Sequence, residues 1–147
     1  MVSKYLGIDY GLKRVGIAVS DEGKTISFSR TTFENDSNLF DKILNICRED
    51  LISKIIIGLP VKLNSEDTHI TQSVKTFSAE LKDFLNKQNI FPDFFFIDER
   101  YTSSLAQSYI TESVKSKKKR KNKSLTDSIS AQIILQDFLD REKNLTN

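Results

Sequence analysis

Residues 5–19 read YLGIDYGLKRVGIAV, and this stretch near the N-terminus decides the fold. Apolar residues alternate with other residues on both sides of Gly11, which is the pattern of two β-strands joined by a short turn. Turn-forming residues at positions 21–24, followed by apolar residues from Ile26 onward, predict a third antiparallel strand. The sequence therefore predicts that the chain opens with an antiparallel meander.

Helical and strand patterns alternate through the rest of the chain. Apolar residues recur every three or four positions in the helical segments, and short continuous apolar runs mark strands that are buried on both faces. Because right-handed crossovers place helices on both sides of a sheet, the order βββαβαβαα predicts an α/β fold. We expect a mixed five-stranded sheet, an antiparallel meander followed by αβαβα, with helices on both faces. The predicted segments are helices at about 36–50, 70–84, near 102 and 124–142, and buried strands at 54–58 and 94–97.

The composition is that of a soluble globular protein. With 147 residues, of which 38% are hydrophobic and 29% charged, the chain is expected to form a single domain over residues 1–147. No apolar run approaches the roughly 20 residues of a membrane-spanning helix, and there is no signal-type stretch, so we expect a cytoplasmic protein without a membrane partner. Cys47 lies among apolar residues in a helical pattern, which predicts a buried, unreactive thiol.

Positive charge is concentrated in one segment. Seven of the nine residues from 115 to 123 are lysine or arginine, and the rest of the chain holds 15 basic against 20 acidic residues. Because no apolar residue lies between Val114 and Leu125, we predict a mobile basic loop at about residues 113–124. Such a cluster suits a polyanion, so nucleic acid is the expected partner. The candidate contacts in this loop are Lys117, Lys118, Lys119, Arg120 and Lys121.

Three acidic residues stand at the ends of predicted elements. Asp9 closes the first strand, Glu99 follows the last strand, and Asp127 lies near the start of the last helix. Helical spacing aligns Asp127 with Ala131 and Ile134, so its carboxylate is expected to face the sheet. Sites in α/β proteins form where the carboxyl ends of strands meet helix starts, and we expect the three carboxylates to converge there.

Converging carboxylates predict a metal-assisted reaction. They repel one another by several kcal/mol in a partly dry site unless a cation lies between them. Mg²⁺ and Mn²⁺ prefer oxygen ligands and can activate water for phosphoryl transfer. Because His69 is the only histidine, a histidine-centred triad or a zinc site has little material. The residue types therefore favour hydrolysis of a phosphodiester with Mg²⁺ or Mn²⁺ as cofactor.

Each acidic residue also has a simpler interpretation. Asp9 fits a turn former beside Gly11. Asp127 fits a capping box with Ser124, and Glu99 fits a surface ion pair. The joint placement of all three favours a catalytic site, because capping alone does not require it.

The chain resembles the YqgF/RuvX family over nearly its whole length. Members of this family are described as Holliday-junction resolvases and as pre-16S ribosomal RNA nucleases. A lone Asp-x-Gly would be a weak signal, but four motifs in order at these spacings are specific. One departure follows the second motif, where Lys62 and Ser65 replace the family's usual asparagine and glycine. The motifs are GIDYGLKRVGIA at 7–18, IGLP at 57–60, DER at 98–100 with TS at 102–103, and DSISAQIIL at 127–135.

The resemblance implies a ribonuclease H-like fold and a metal-dependent endonuclease. It assigns catalysis and metal binding to Asp9, Glu99 and Asp127, and Asp98 of the same motif is a further candidate ligand. On the same basis we favour RNA as partner, with processing of the 5′ end of precursor 16S ribosomal RNA in ribosome biogenesis as the function.

Basic residues beside the acidic motifs are candidates for phosphate contacts. Lys13 and Arg14 follow the first strand, and Arg100 ends the third motif. An ordinary charged hairpin turn is the alternative interpretation for Lys13 and Arg14.

Three other functions stay open. A Holliday junction resolvase acting on branched DNA in recombination and repair would resolve a four-way junction symmetrically, which requires a homodimer rather than a monomer. A nucleotide-binding ATPase of the actin and sugar-kinase type shares the phosphate-loop pattern at residues 9–13, but such proteins close two lobes on the nucleotide and 147 residues hold one. A non-catalytic nucleic-acid-binding protein would lack metal-dependent turnover.

Overall fold

The computed structural model describes residues 2–60, 68–98 and 123–146, without the side chains at 68–69, 123–127 and 145–146. The predicted short helix near residue 102 and nearly all of the predicted basic loop lie outside these ranges. None of the three described helices is long and apolar enough to cross a membrane. The elements are β1 (Lys4–Tyr10), β2 (Arg14–Ser20), β3 (Ser27–Glu34), α1 (Leu39–Glu49), β4 (Ile52–Leu59), α2 (Thr68–Lys87), β5 (Asp93–Asp98) and α3 (Lys123–Thr146).

The strands form one mixed sheet of five, in the order β3-β2-β1-β4-β5. The first three strands pair antiparallel, and β4 joins β1 and β5 in parallel. Ile8 pairs with Ile57, which pairs in turn with Phe96. The predicted meander and mixed sheet are therefore confirmed, and the carboxyl ends of β1, β4 and β5 lie at one edge.

Helices cover both faces of the sheet, as predicted. The larger core forms where α1 and α2 pack against Leu6 and Ile8 of β1. The smaller core forms where α3 packs against Tyr5, Ala18 and Ile56 on the other face. Successive residues of β1 therefore serve different cores, as the period of two in a strand requires.

The strand predicted as buried at residues 94–97 is instead the edge strand β5. Phe95 is 37% exposed and Phe96 is 44% exposed, whereas Ile97 is 5% exposed. Among the described strands, β5 pairs with β4 alone. The prediction of burial on both faces was wrong because a run of apolar residues does not show whether a strand has one neighbour or two.

Cys47 is buried in α1, as predicted. Burial, with a smaller contribution from the nearby charge of Asp50, raises the pKa of its thiol to about 12. Because the thiolate is the reactive form, this cysteine is inert near neutral pH.

Helix α3 lies close against β1 at Gly7. A Cβ atom on this residue would lie 2.7 Å from the Cβ of Leu135 and 3.0 Å from the backbone oxygen of Ala131. Side-chain atoms do not approach so closely, so glycine lets the helix backbone rest directly on the strand. The contact fixes the position of α3 along β1.

Replacing Gly7→Ala is expected to destabilise the fold by about 1–3 kcal/mol, because the added methyl must push α3 off the sheet. Urea unfolding at neutral pH measures the loss. The control is Gly23→Ala, whose Cβ would face the side chain of Asp21 at 3.3 Å in an exposed turn. Equal losses in the two variants would contradict a requirement for close packing at Gly7.

Candidate active site

Asp9 lies on the sheet face that α3 covers. Tyr5 belongs to the core beneath α3, and Gly7 touches that helix. Leu6 and Ile8 belong to the core beneath α1 and α2. Since side chains alternate along a strand, Asp9 continues the series of Tyr5 and Gly7. Its half-buried side chain is therefore on the α3 side, at the carboxyl end of β1.

Helix α3 runs antiparallel to β1. Its C-terminal half lies beside Tyr5, whose ring centroid is 6.1 Å from that of Phe138. The Tyr5 hydroxyl also donates a hydrogen bond of 2.8 Å to Glu142. Further along the strand, Gly7 faces Leu135. Moving toward the end of β1 is thus moving toward the start of α3.

Because α3 runs antiparallel to β1, the start of α3 lies toward the end of β1 that bears Asp9. Asp9 lies two residues beyond Gly7, roughly 7 Å along the strand. Asp127 lies four residues before Ala131, about 6 Å along the helix axis. Because Ala131 rests on Gly7, the backbone of Asp127 approaches the end of β1. The side chain of Asp127 lies outside the described residues.

The third acidic motif is described only as far as Asp98, at the end of β5, and Glu99 lies outside the described residues. Phe94 packs with the α1 and α2 core, whereas Ile97 belongs to the α3 core. Alternation along β5 therefore places Asp98 on the face of Phe94. This is the face opposite to Asp9.

The hairpin turn after Asp9 is held from outside by Asn35. Its side-chain amide donates a hydrogen bond of 2.8 Å to the backbone oxygen of Gly11, and its backbone nitrogen donates one of 2.9 Å to that of Lys13. Lys13 is exposed, and Arg14 begins β2. Sequence reasoning missed Asn35, although the polar run at residues 35–38 before α1 marks a turn whose side chains often bond to backbone.

The other predicted nucleic-acid contacts lie outside the described residues. Within the part of the chain that is described, no group of three histidine, cysteine or acidic side chains is placed to hold a metal ion. Glu99 and the carboxylate of Asp127 lie outside the described residues, so the predicted metal ligands stay a prediction. The contacts outside the description are Arg100, Lys117, Lys118, Lys119, Arg120 and Lys121.

An ion pair anchors the C-terminal half of α3 on the same face. The Nζ of Lys54 lies 2.6 Å from Oε2 of Glu142. The ring centroids of Tyr5, Phe95 and Phe138 lie 5.0–5.9 Å from this nitrogen, where a cation is attracted to the ring face. Burial acts against the charges of Lys54 and Glu142. The hydrogen bond between the two side chains, and the hydrogen bond of each with Tyr5, outweigh this effect. The pKa of Lys54 is therefore raised and that of Glu142 lowered.

The Glu142→Gln substitution is expected to cost about 1 kcal/mol of stability at pH 7. A lowered pKa in the folded state stabilises the fold above the unfolded pKa, and that contribution is lost as the pH falls through the folded value. The difference between the two chains should therefore shrink below about pH 4.5, the ordinary value for this carboxyl. Urea unfolding at pH 7 and pH 3.5 measures it, with Glu22→Gln in an exposed turn as control. A difference independent of pH would contradict the role of the ion pair.

Comparison with protein families matches residues 3–141 to the family model described as "RuvX: Holliday junction resolvase". Similar curated proteins share the name "Putative pre-16S rRNA nuclease". One from a Sulfurihydrogenibium species is 41% identical and covers 95% of this chain and 92% of its own length. One from Bacteroides fragilis is 39% identical and covers 97% of this chain and 99% of its own length.

Solved structures resemble this chain in fold. T. thermophilus RuvC in complex with a Holliday junction substrate matches with a TM-score of 0.65 at 8% identity, covering 95% of this chain and 96% of that one. Another Thermus thermophilus RuvC structure matches with a TM-score of 0.57 at 9% identity, with the same coverage. At such low identity the likeness concerns the fold alone, and it confirms the ribonuclease H-like architecture expected from the sequence.

Proposed function

Because the chain belongs to the RuvX family, we propose that it is a metal-dependent endonuclease that processes the 5′ end of precursor 16S ribosomal RNA. Two relatives that match this chain over 92% and 99% of their own length are named as nucleases of this RNA. One structural observation supports Asp9 and Asp127 as residues of the proposed active site. The antiparallel packing of α3 on β1 at Gly7 leads Asp9 and the helix start that bears Asp127 to the same end of the sheet.

Glu99 is proposed as the third carboxylate rather than Asp98. Ile97 belongs to the α3 core, so Asp98, the last residue of β5, takes the face opposite to Asp9 and is the less suitable of the two motif residues. Gly58 pairs with Ile97, and as the residue after Ile57 it stands level with Asp9. Since glycine has no side chain, β4 itself contributes none between these two strand ends.

The donor set fits a hard divalent cation. Mg²⁺ and Mn²⁺ prefer carboxylate oxygens, which Asp9, Glu99 and Asp127 supply. Such an ion, when bound, activates water and offsets charge on the phosphoryl group. Asp9 is half-buried at the carboxyl end of β1, where a bound cation would offset the charge of its carboxylate. In the reaction, water adds to phosphorus and one P–O ester bond breaks, leaving a hydroxyl end and a phosphate end.

Basic residues on the substrate side are proposed to hold the backbone of the nucleic acid. Lys13 is exposed in the hairpin turn directly after Asp9, and Arg14 begins the next strand. Arg100 and the basic residues at 117–121 are proposed to add phosphate contacts. Contacts of this kind give affinity that falls with salt and carries no sequence information.

A Holliday junction resolvase is the second candidate function. The description of the matching family model favours it. Symmetric cutting of a four-way junction would require two copies of the chain. A cleavage assay that offers both an RNA and a four-way DNA junction decides between the two substrates.

Cleavage of a labelled single-stranded RNA spanning the 5′ region of precursor 16S ribosomal RNA tests the proposal, with Mg²⁺ or Mn²⁺ present and a four-way DNA junction in parallel. Asp9→Asn should lower the cleavage rate at least about 100-fold, because it removes a ligand oxygen charge.

Asp98→Asn is the matched control, since it makes the same change on the opposite face of the sheet. Its cleavage rate should stay close to that of the unsubstituted chain. Full activity of Asp9→Asn would overturn the proposed site. Cutting of the junction alone would transfer the proposal to branched DNA.

A further inference from the structure

A cleft of about 650 Å³ opens on the α1 and α2 face at the carboxyl end of β1. Three aromatic residues, Tyr10, Phe40 and Phe77, line it. The ring of Tyr10 stacks on Phe77 with centroids 4.4 Å apart, and Phe40 packs at 5.8 Å from Phe77. The volume falls in the range of pockets that bind small organic groups. We call this the aromatic cleft.

Apart from the three aromatic residues and Leu39, the residues that line the aromatic cleft are polar, and none of the described lining residues is basic. Carboxylates in the wall repel a phosphate group, so the cleft is unsuited to the nucleic-acid backbone. Amide, hydroxyl and carboxylate groups instead match the ring nitrogens and amino groups of a nucleobase, which can also pack against aromatic rings. The polar lining side chains include Asn35, Asp36, Ser37, Gln72, Thr76 and Glu80.

The aromatic cleft lies directly beside the proposed active site. Tyr10 follows Asp9, so their Cα atoms are about 3.8 Å apart while their side chains take opposite faces of the sheet. Asn35, in the cleft wall, is hydrogen-bonded to Gly11 and Lys13 of the hairpin turn. A phosphate held at the end of β1 would thus place a neighbouring nucleotide within reach of the cleft.

We propose that the aromatic cleft binds the base of an unpaired nucleotide next to the cleaved phosphate, which makes a single-stranded nucleic acid the substrate of this site. The inference rests on the proposed nuclease function. A base in a duplex is stacked on both sides and uses its hydrogen-bonding edge, so it cannot enter such a cleft without being extruded. The cleft therefore selects single strands by shape and hydrogen bonding, while Lys13 and the other basic residues attract any nucleic acid.

The test measures binding rather than cleavage, in the Asp9→Asn chain. A single-stranded RNA carrying 2-aminopurine near the cleavage position reports stacking through its fluorescence. Thr76→Tyr places a large side chain in the cleft from an exposed position of α2. Asn45→Tyr, at an exposed position of α1 outside the cleft lining, is the matched control. Circular dichroism checks the fold, and Gln72→Tyr fills the same cleft if the first variant does not fold.

Loss of one stacked base should raise the Kd of the single strand about fivefold or more in Thr76→Tyr and abolish the fluorescence change. The Asn45→Tyr control should leave both unchanged. Equal affinities of the two tyrosine variants would overturn the inference and leave the nuclease proposal standing. Free AMP that binds as tightly as the strand would assign the cleft to a small nucleotide instead. Absence of binding to any nucleic acid, with or without Asp9→Asn, would overturn the proposed function as well.

Discussion

The contact between α3 and Gly7 is the constraint on which the proposed active site depends. Because position 7 has no side chain, the helix backbone at Ala131 lies directly against β1. A second anchor, the ion pair of Lys54 and Glu142, holds the far end of the helix on the same face. These two points set the direction and position of α3, and they lead its start to the end of β1, where Asp9 lies.

The two faces of the sheet divide the proposed tasks. The α3 face carries Asp9 and the helix start, and the opposite face carries Tyr10 and the aromatic cleft. Neighbouring residues of one strand thus serve phosphate chemistry and base binding, because their side chains alternate. Asn35 links the two regions through the hairpin turn. A nucleic-acid strand crossing the end of β1 would meet both.

Local periodicity in the sequence predicted most of the fold, because strand alternation and helical spacing are properties of neighbouring residues. The meander and the order of the described elements are confirmed. The exposure of Phe95 and Phe96 was not predictable, since it depends on which strands pair with β5. The choice between Asp98 and Glu99 as the third carboxylate depends on which face of the sheet Ile97 takes. The role of Asn35 depends on a contact between two separate turns.

The most direct test of this account is a double-mutant cycle on metal binding. Calorimetry would measure the Mn²⁺ affinity of the unsubstituted chain, Asp9→Asn, Asp127→Asn and the double variant. If α3 brings both carboxylates to one ion, each substitution weakens Mn²⁺ binding at least about tenfold, and the two losses are not additive. Unchanged affinity, or losses that simply add, would show that the two carboxylates do not share an ion and would contradict the account.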